Sequence, residues 1–414
     1  LKQLKMPAPK IATSDKVLTW PRFSATGVGV ETETVEYGEN DLAAVTLTGG
    51  TTGAPKGVML SNDGFNAIAF DFRHCGVSYK RGQRFLNIIP MFSSYGIVSS
   101  LHMPLSLGLE VVIIPKFDQD KVGYYVKKYR PEHTLLVPAH YEKLMNSKEM
   151  AGGFDLSFFR TAGSGGDTMN AGLEAKLNSF LESRGCLYPL SQGYGMSEVS
   201  SAASCCCNGN FKSLSVGYPL LTTTIGIFEP GTDKELGYGE EGEICISGPS
   251  IMLGYLNNKA ETENVIRRHA DGELWVHSGD IGHMDSDGFV YIKGRIKRMI
   301  TLFNGHKIFP THIESVLGRH PLVSSCAVVG VNDTTHAQGE LTLAVIETSE
   351  TSLEKQLAIK NELYEMCRQE LEGPAKPHDM IFTDSMPHTG MGKIDYLKLA
   401  EDYNNENKNE TEAV

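Results

Sequence analysis

At 414 residues the chain exceeds what one ordinary hydrophobic core serves, and two domains of unequal size are expected. Its composition, 41% hydrophobic and 21% charged, is that of a folded globular protein and argues against disorder as the default. The formal net charge of −12 excludes a general nucleic-acid binder, because gripping a phosphate backbone needs a basic surface; any nucleotide must be held by a local site.

Residues up to about 40 read as connecting chain, and with Leu1 at the start an upstream portion is expected to be missing. The apolar run 42–47 predicts a strand. A Gly/Thr-rich loop follows, then a second strand over 57–60 and a helix for which Ser61 and Asn62 offer caps. Residues 85–109 carry no Asp, Glu, Lys or Arg, a length able to cross a bilayer. Pro90, Gly96 and Pro104 interrupt that stretch, so buried strand and loop are expected there and no integral membrane segment. A strand over 110–115, a helix over 120–129 and a strand over 133–137 continue an α/β alternation.

From about residue 214 the pattern changes to short strands between Gly-rich turns, which predicts a β-rich subdomain. Residues 237–242 fit G-x-G-x-x-G, but they precede a strand over 243–246 and carry acidic residues, so they read as a turn. A boundary falls near Lys297. Beyond it lie a helix from about 311, strands over 325–331 and 341–347, and a helix over 352–371 stopped by Gly373 and Pro374. The last dozen residues, rich in Asn and Glu, are expected to be a disordered tail. The eight cysteines, including Cys205-Cys206-Cys207, contain no C-x-x-C pair and no zinc-ligand spacing, which suits reduced thiols in a cytoplasmic protein.

The segment Leu47-Thr48-Gly49-Gly50-Thr51-Thr52-Gly53-Ala54-Pro55-Lys56-Gly57-Val58 suits a polyphosphate. Glycines let backbone N–H groups approach an anion, threonine hydroxyls add donors, and Lys56 adds positive charge. It is not the Walker sequence, since no Gly-Lys-Ser/Thr ends it. The segment resembles the phosphate-loop signature of the adenylate-forming superfamily of acyl-CoA synthetases, luciferases and peptide-synthetase adenylation domains, and is nearest to the form in fatty acyl-CoA synthetases, with Gly49 where Ser is usual.

Further resemblances follow in the family's order. Ala162-Gly163-Ser164-Gly165-Gly166 resembles the loop walling the acyl and adenine pockets. Tyr194-Gly195-Met196-Ser197-Glu198 resembles the aromatic-Gly-x-Thr-Glu signature, implying that Tyr194 stacks on adenine, Ser197 lies near the α-phosphate and Glu198 reaches Mg²⁺. Ser278-Gly279-Asp280 resembles the Thr-Gly-Asp signature whose carboxylate takes the ribose hydroxyls. Gly294-Arg295-Ile296-Lys297 resembles the hinge, with Arg295 on the nucleotide and Lys297 as pivot; Arg298 stands where Asp is usual. Gly305-His306-Lys307 resembles the loop that approaches CoA, and Gly390-Met391-Gly392-Lys393 the signature bearing the adenylation lysine.

The resemblance therefore implies an α/β fold: a large domain over 1–296, made of α/β subdomains and a β-rich subdomain, joined by a hinge to a small mobile α+β domain over 297–414. It implies an AMP-forming acid–thiol ligase using ATP, Mg²⁺ and CoA, in which Lys393, Glu198 and Ser197 are catalytic. The Pro90–Gly96 segment resembles the substrate-proximal one. Lacking the Asp with which amino-acid-activating relatives hold an ammonium, it favours a fatty or aryl acid. Transfer to a carrier-protein thiol and a non-catalytic acyl- or nucleotide-binding remnant remain the alternatives.

Overall fold

The computed structural model of the chain describes residues 18–31, 35–48, 56–207, 209–333, 336, 339–371, 373–387 and 394–412. Leu1–Glu39 and Asn40–Val414 are separate units. In the first, the described residues form one short helix, Trp20–Ala25, with Pro21 in its first turn, where the fixed φ of proline suits the helix.

The second unit opens with a hairpin. Leu42–Thr48 pairs antiparallel with Lys56–Ser61, setting Thr48 opposite Lys56. Ser61 then caps the helix Asn62–His74, its Oγ accepting the Gly64 N–H at 3.0 Å. Beyond the hairpin runs a seven-stranded sheet in the order Glu110–Ile113, Arg84–Asn87, His133–Leu136, Thr161–Ser164, Ser191–Tyr194, Ser204–Cys205, Tyr218–Pro219. The first five strands are parallel and the last two antiparallel. Leu86, Leu136, Val126, Leu144 and Leu177 form one buried cluster, so apolar helix stripes cover this sheet as a parallel sheet requires.

The region expected to be β-rich is a five-stranded antiparallel sheet: Thr224–Phe228, Gly242–Ser247, Leu274–Met284 and Ile266–Arg268 in order, with Val290–Arg295 also paired to Leu274–Met284. The G-x-G-x-x-G match is the turn before Gly242–Ser247.

The smaller C-terminal domain contains a sheet of Ser325–Asn332, Glu340–Glu347 and Asp379–Thr383. Alternation gives it two apolar faces. Val328, Ala344 and Ile346 pack with Ile313, Ile359 and Leu363 of the helices Pro310–Leu317 and Leu353–Glu370. Val329, Val331 and Val345 pack with Tyr396, Leu399 and Tyr403 of the helix Tyr396–Glu412.

Two expectations need correction. The strand within 85–109 is present as Arg84–Asn87, but Tyr95–Ser106 is helical, in π geometry to His102 and α geometry after it. Pro104 lies inside this continuous helical run, and its missing N–H interrupts the backbone ladder just where π geometry gives way to α. No described helix is long and apolar enough to cross a membrane. The expected disordered tail is instead helical to Glu412. Its first turns are anchored by Tyr396, Leu399 and Tyr403, and extending a nucleated helix costs far less than starting one.

Candidate active site

In an open parallel sheet, ligands bind beyond the carboxyl ends of the strands, where the strand order reverses. Here the chain passes from Arg84–Asn87 outward to Glu110–Ile113 and then back to His133–Leu136 on the other side, so the reversal lies beside Asn87 and Leu136. The Tyr95 hydroxyl donates to Leu136 O at 3.0 Å and ties the helical run Tyr95–Ser106 to the end of the strand His133–Leu136. A cavity of about 1890 Å³ opens at this end. Asn87, Ser164, Gly165, Gly166 and Tyr194, all at or just past strand ends, line it. Asn87 Nδ2 and Ser164 Oγ are buried and have no hydrogen-bond partner among the described residues, leaving two polar atoms for a ligand.

After the Ser191–Tyr194 strand the chain bends sharply. A Cβ on Gly195 would lie 2.0 Å from Ser201 O, so only glycine fits. Ser200 and Ser201 follow at φ 53° and 99°, left-handed values uncommon for serine. This turn buries Glu198 at the cavity wall, where its Oε1 accepts from the Tyr255 hydroxyl at 2.6 Å. Burial and the Glu198 charge push the Tyr255 phenol far above its ordinary range and hold it as a donor. Ser197 Oγ accepts from Ser94 Oγ at 3.1 Å, joining this turn to the Pro90–Gly96 loop. Ser93 donates to Pro90 O at 2.8 Å and accepts from Gly96 N–H at 3.1 Å, so its hydroxyl is spent on holding that loop.

Asp280 is supplied by the β-rich sheet, where it faces Arg295 across paired strands. One carboxylate oxygen takes Arg295 Nε at 2.9 Å and the other takes the Tyr194 hydroxyl at 2.7 Å. Burial, then Asp280, raises the Tyr194 phenol well above its usual value, so it too stays a donor. Tyr194 thus links the parallel sheet to the β-rich one. Glu243 Oε1 accepts the Gly279 N–H at 3.0 Å and holds the strand's bulge just ahead of Asp280.

Thr48 and Lys56, at the ends of the hairpin, both line the cavity. Lys56 is ion-paired with Glu261, and its ammonium lies 4.9 Å over the Tyr255 ring. Lys297 is exposed on the turn Ile296–Arg298 and also lines the cavity. Arg298 belongs with the C-terminal domain: its Nη2 meets Glu314 Oε1 at 2.6 Å and its guanidinium lies 3.5 Å from the Tyr396 ring centroid. Across the junction, the Thr311 hydroxyl donates to Lys293 O.

Of the residues singled out from sequence, Thr48, Lys56, Gly165, Gly166, Tyr194, Gly195, Ser197, Glu198, Asp280 and Arg295 line this one cavity. Gly305 does not; it is exposed in the turn between Ile300–Thr301 and Lys307–Ile308, at φ +82°. Gly49, Gly50, Thr51, Thr52, Gly53 and Lys393 lie outside the described residues. Sequence reasoning missed Tyr255, Glu261 and Glu243. No local signal marked them; it is the fold that brings the strand Gly254–Tyr255 onto the hairpin sheet beside Lys56–Ser61.

The chain is 33% identical over 321 residues to the probable 4-coumarate–CoA ligase 1 of Dictyostelium discoideum, covering 77% of this chain and 56% of that protein. It is 31% identical over 370 residues to the long-chain-fatty-acid–CoA ligase of Bacillus subtilis, covering 88% and 62% respectively. It thus spans about three-fifths of the length of these curated relatives. Its fold matches ATP-bound MatB from Rhodopseudomonas palustris with a TM-score of 0.79 at 25% identity, covering 92% of this chain and 73% of that one. The AMP-binding enzyme C-terminal domain model matches residues 312–393. With residues 2–256 matching the AMP-binding enzyme model itself, the chain belongs to the AMP-binding, adenylate-forming enzyme family.

Proposed function

We propose that this chain carries the site of an AMP-forming acid–CoA ligase that activates a fatty or aryl carboxylic acid. The observation that carries the proposal is the convergence on one strand-end cavity of Glu198, the Tyr194–Asp280–Arg295 group and the glycines 165–166, with Lys56 at its edge. A carboxylate oxygen of the acid attacks the α-phosphorus of ATP, the bond to pyrophosphate breaks, and an acyl-adenylate forms. The sulfur of CoA then attacks the acyl carbon, its proton passes to solvent, and AMP leaves with the bonding electrons.

Each residue has a role its chemistry suits. Asp280 would accept the ribose hydroxyls, exchanging bonds it makes to Tyr194 and Arg295. Glu198, a buried carboxylate that accepts from Tyr255, fits a hard cation that keeps water and phosphate ligands. Mg²⁺ held there would offset the negative charge that grows on the phosphates. Loop 49–53, Thr48 and Lys56 would cradle the polyphosphate, which requires Lys56 to leave Glu261. Lys393 would join the reacting carboxylate and α-phosphate in the first step. The division at 296/297 is proposed to separate a large domain from a mobile one, with Lys297 as pivot and the Gly305 turn near CoA in the second step.

No aspartate stands in the Pro90–Gly96 loop to pair with an ammonium, which favours acids without an amino group. The cysteine spacing, with no C-x-x-C pair, favours a reducing, cytoplasmic setting. The testing experiment is thioester formation from a panel of fatty, aryl and amino acids with ATP, offering CoA or an acyl-carrier protein as thiol. Product with CoA from fatty or aryl acids supports the proposal. Product only with the carrier would move the assignment to an acyl-AMP–carrier ligase, and none with any acid would leave a nucleotide-binding remnant.

A further inference from the structure

Within the β-rich sheet, where His277 and Glu243 also reach the cavity wall, two histidines bring their Nε2 atoms together. His269, just past Ile266–Arg268, and His277, on Leu274–Met284, are both buried, and the two nitrogens lie 3.0 Å apart. The exposed Asp233 sets a carboxylate oxygen 3.6 Å from His269 Nε2. Ligand atoms of all three lie within 4.8 Å of one another. Two imidazoles and a carboxylate form a donor set suited to zinc-class ions, with N and O ligands at about 2.0–2.2 Å.

The arrangement behind these atoms has the character of a metal site's outer shell. Glu243 Oε2 lies 2.9 Å from His277 Nδ1 and accepts its proton, which leaves the Nε2 lone pair directed at His269. A carboxylate on the far nitrogen of a ligating histidine is the usual device for fixing tautomer and orientation. Cys245 Sγ lies 3.5 Å from the same Nδ1, a longer and weaker contact. His269 Nδ1 is buried without a hydrogen-bond partner among the described residues. Its ring is clamped instead by aromatic contacts, Trp275 stacked at 5.5 Å and Phe228 edge-on at 4.7 Å. The half-exposed Asp233 gives an ion a route in from solvent.

We propose that Asp233, His269 and His277 form a binding site for one divalent transition-metal ion of the zinc class, oriented by Glu243. A solvent molecule completes the coordination. Closing on an ion moves the two nitrogens apart by only a few tenths of an ångström, since two ligands at about 2.05 Å in tetrahedral geometry sit roughly 3.3 Å apart. The site is separate from Glu198, whose lone carboxylate suits a hard cation.

The test uses the whole chain carrying Trp20→Phe, which leaves Trp275 as the remaining tryptophan of the two. After removal of metals with a chelator, Zn²⁺ is titrated by calorimetry and Co²⁺ by its visible absorption and by Trp275 fluorescence. The expected result is one saturating ion per chain, quenching of Trp275 by Co²⁺, and release of that quench by Zn²⁺. His269→Phe should abolish binding. Asp233→Ala, on the surface and without consequence for the core, should weaken it at least about tenfold, the loss that even an outer partner typically causes. Cys75→Ser, a control for the thiols that lie apart from this sheet, should bind as the parent does. Absence of saturable binding, binding unaltered by Asp233→Ala, or binding lost with Cys75→Ser would each overturn the assignment.

Discussion

Asp280 is buried, yet its two oxygens are held by different elements, Arg295 on one side and Tyr194 on the other. A ribose hydroxyl that displaces either bond supplies a donor in its place, so the carboxylate is not left unpaired. Replacing Asp280 by Ala should weaken ATP binding by about 1.5–3 kcal/mol, the range for hydrogen bonds to a charged group. Calorimetric titration with ATP measures this, and an unchanged affinity in a folded variant would remove Asp280 from the site. At this scale the sequence was informative where a residue sits inside a short motif, as Glu198 and Asp280 do. It was silent on Tyr255 and Glu261. Tyr255 meets Glu198 from 57 positions away and Glu261 meets Lys56 from 205, so only folding reveals those contacts.

The elements carry their own predictions. Arg298 ties the junction to the C-terminal domain through Glu314, which burial pushes above its ordinary carboxylate range although Arg298 offsets part of that rise. Removing the guanidinium in Arg298→Ala strands that carboxyl and exposes the Tyr396 face, and should cost about 3 kcal/mol of stability. Chemical denaturation measures it, and a variant as stable as the parent would contradict the anchoring role. In the parallel sheet and its flanking helix, burial pushes His133 and His140 down to about 4. Unfolded, both bind protons below about 6.5, so the unfolded state gains protons first and stability falls as pH drops from about 6.5 towards 4. The slope approaches about 1.4 kcal/mol per pH unit for each histidine and levels below pH 4. Denaturation midpoints between pH 4 and 7 test this, and a slope unaltered in His133→Gln would rule that residue out as a source.

The strands legible in the sequence were those with plain apolar runs and turn residues at their ends, such as Ser325–Asn332 and Glu340–Glu347. Tyr95–Ser106 escaped because Gly96 and Pro104 punctuate it as they would a loop; its burial among other elements, not local propensity, makes it helical. The tail escaped because its polar composition hides an anchor at Tyr396, Leu399 and Tyr403 that only the neighbouring sheet provides.

For the molecule as a whole, the proposed two-step reaction needs one pocket to serve two chemistries, which requires the C-terminal domain to adopt two positions. Lys297 is exposed on a short turn, followed at once by the anchored Arg298, so rotation at the junction falls on very few backbone angles. Lys297→Pro fixes φ there and should leave adenylate formation largely intact while slowing thioester formation. Assaying the half-reactions separately tests it, and equal losses in both would argue against a pivot at this position.

The central claim, that this cavity makes an acyl-adenylate, is tested most directly by isotope exchange between labelled pyrophosphate and ATP in the absence of CoA. With a fatty or aryl acid present, labelled ATP should accumulate, and Lys393→Ala should depress that exchange while still converting presynthesised acyl-adenylate and CoA to thioester. Exchange independent of added acid, or no exchange with any acid, would contradict the account.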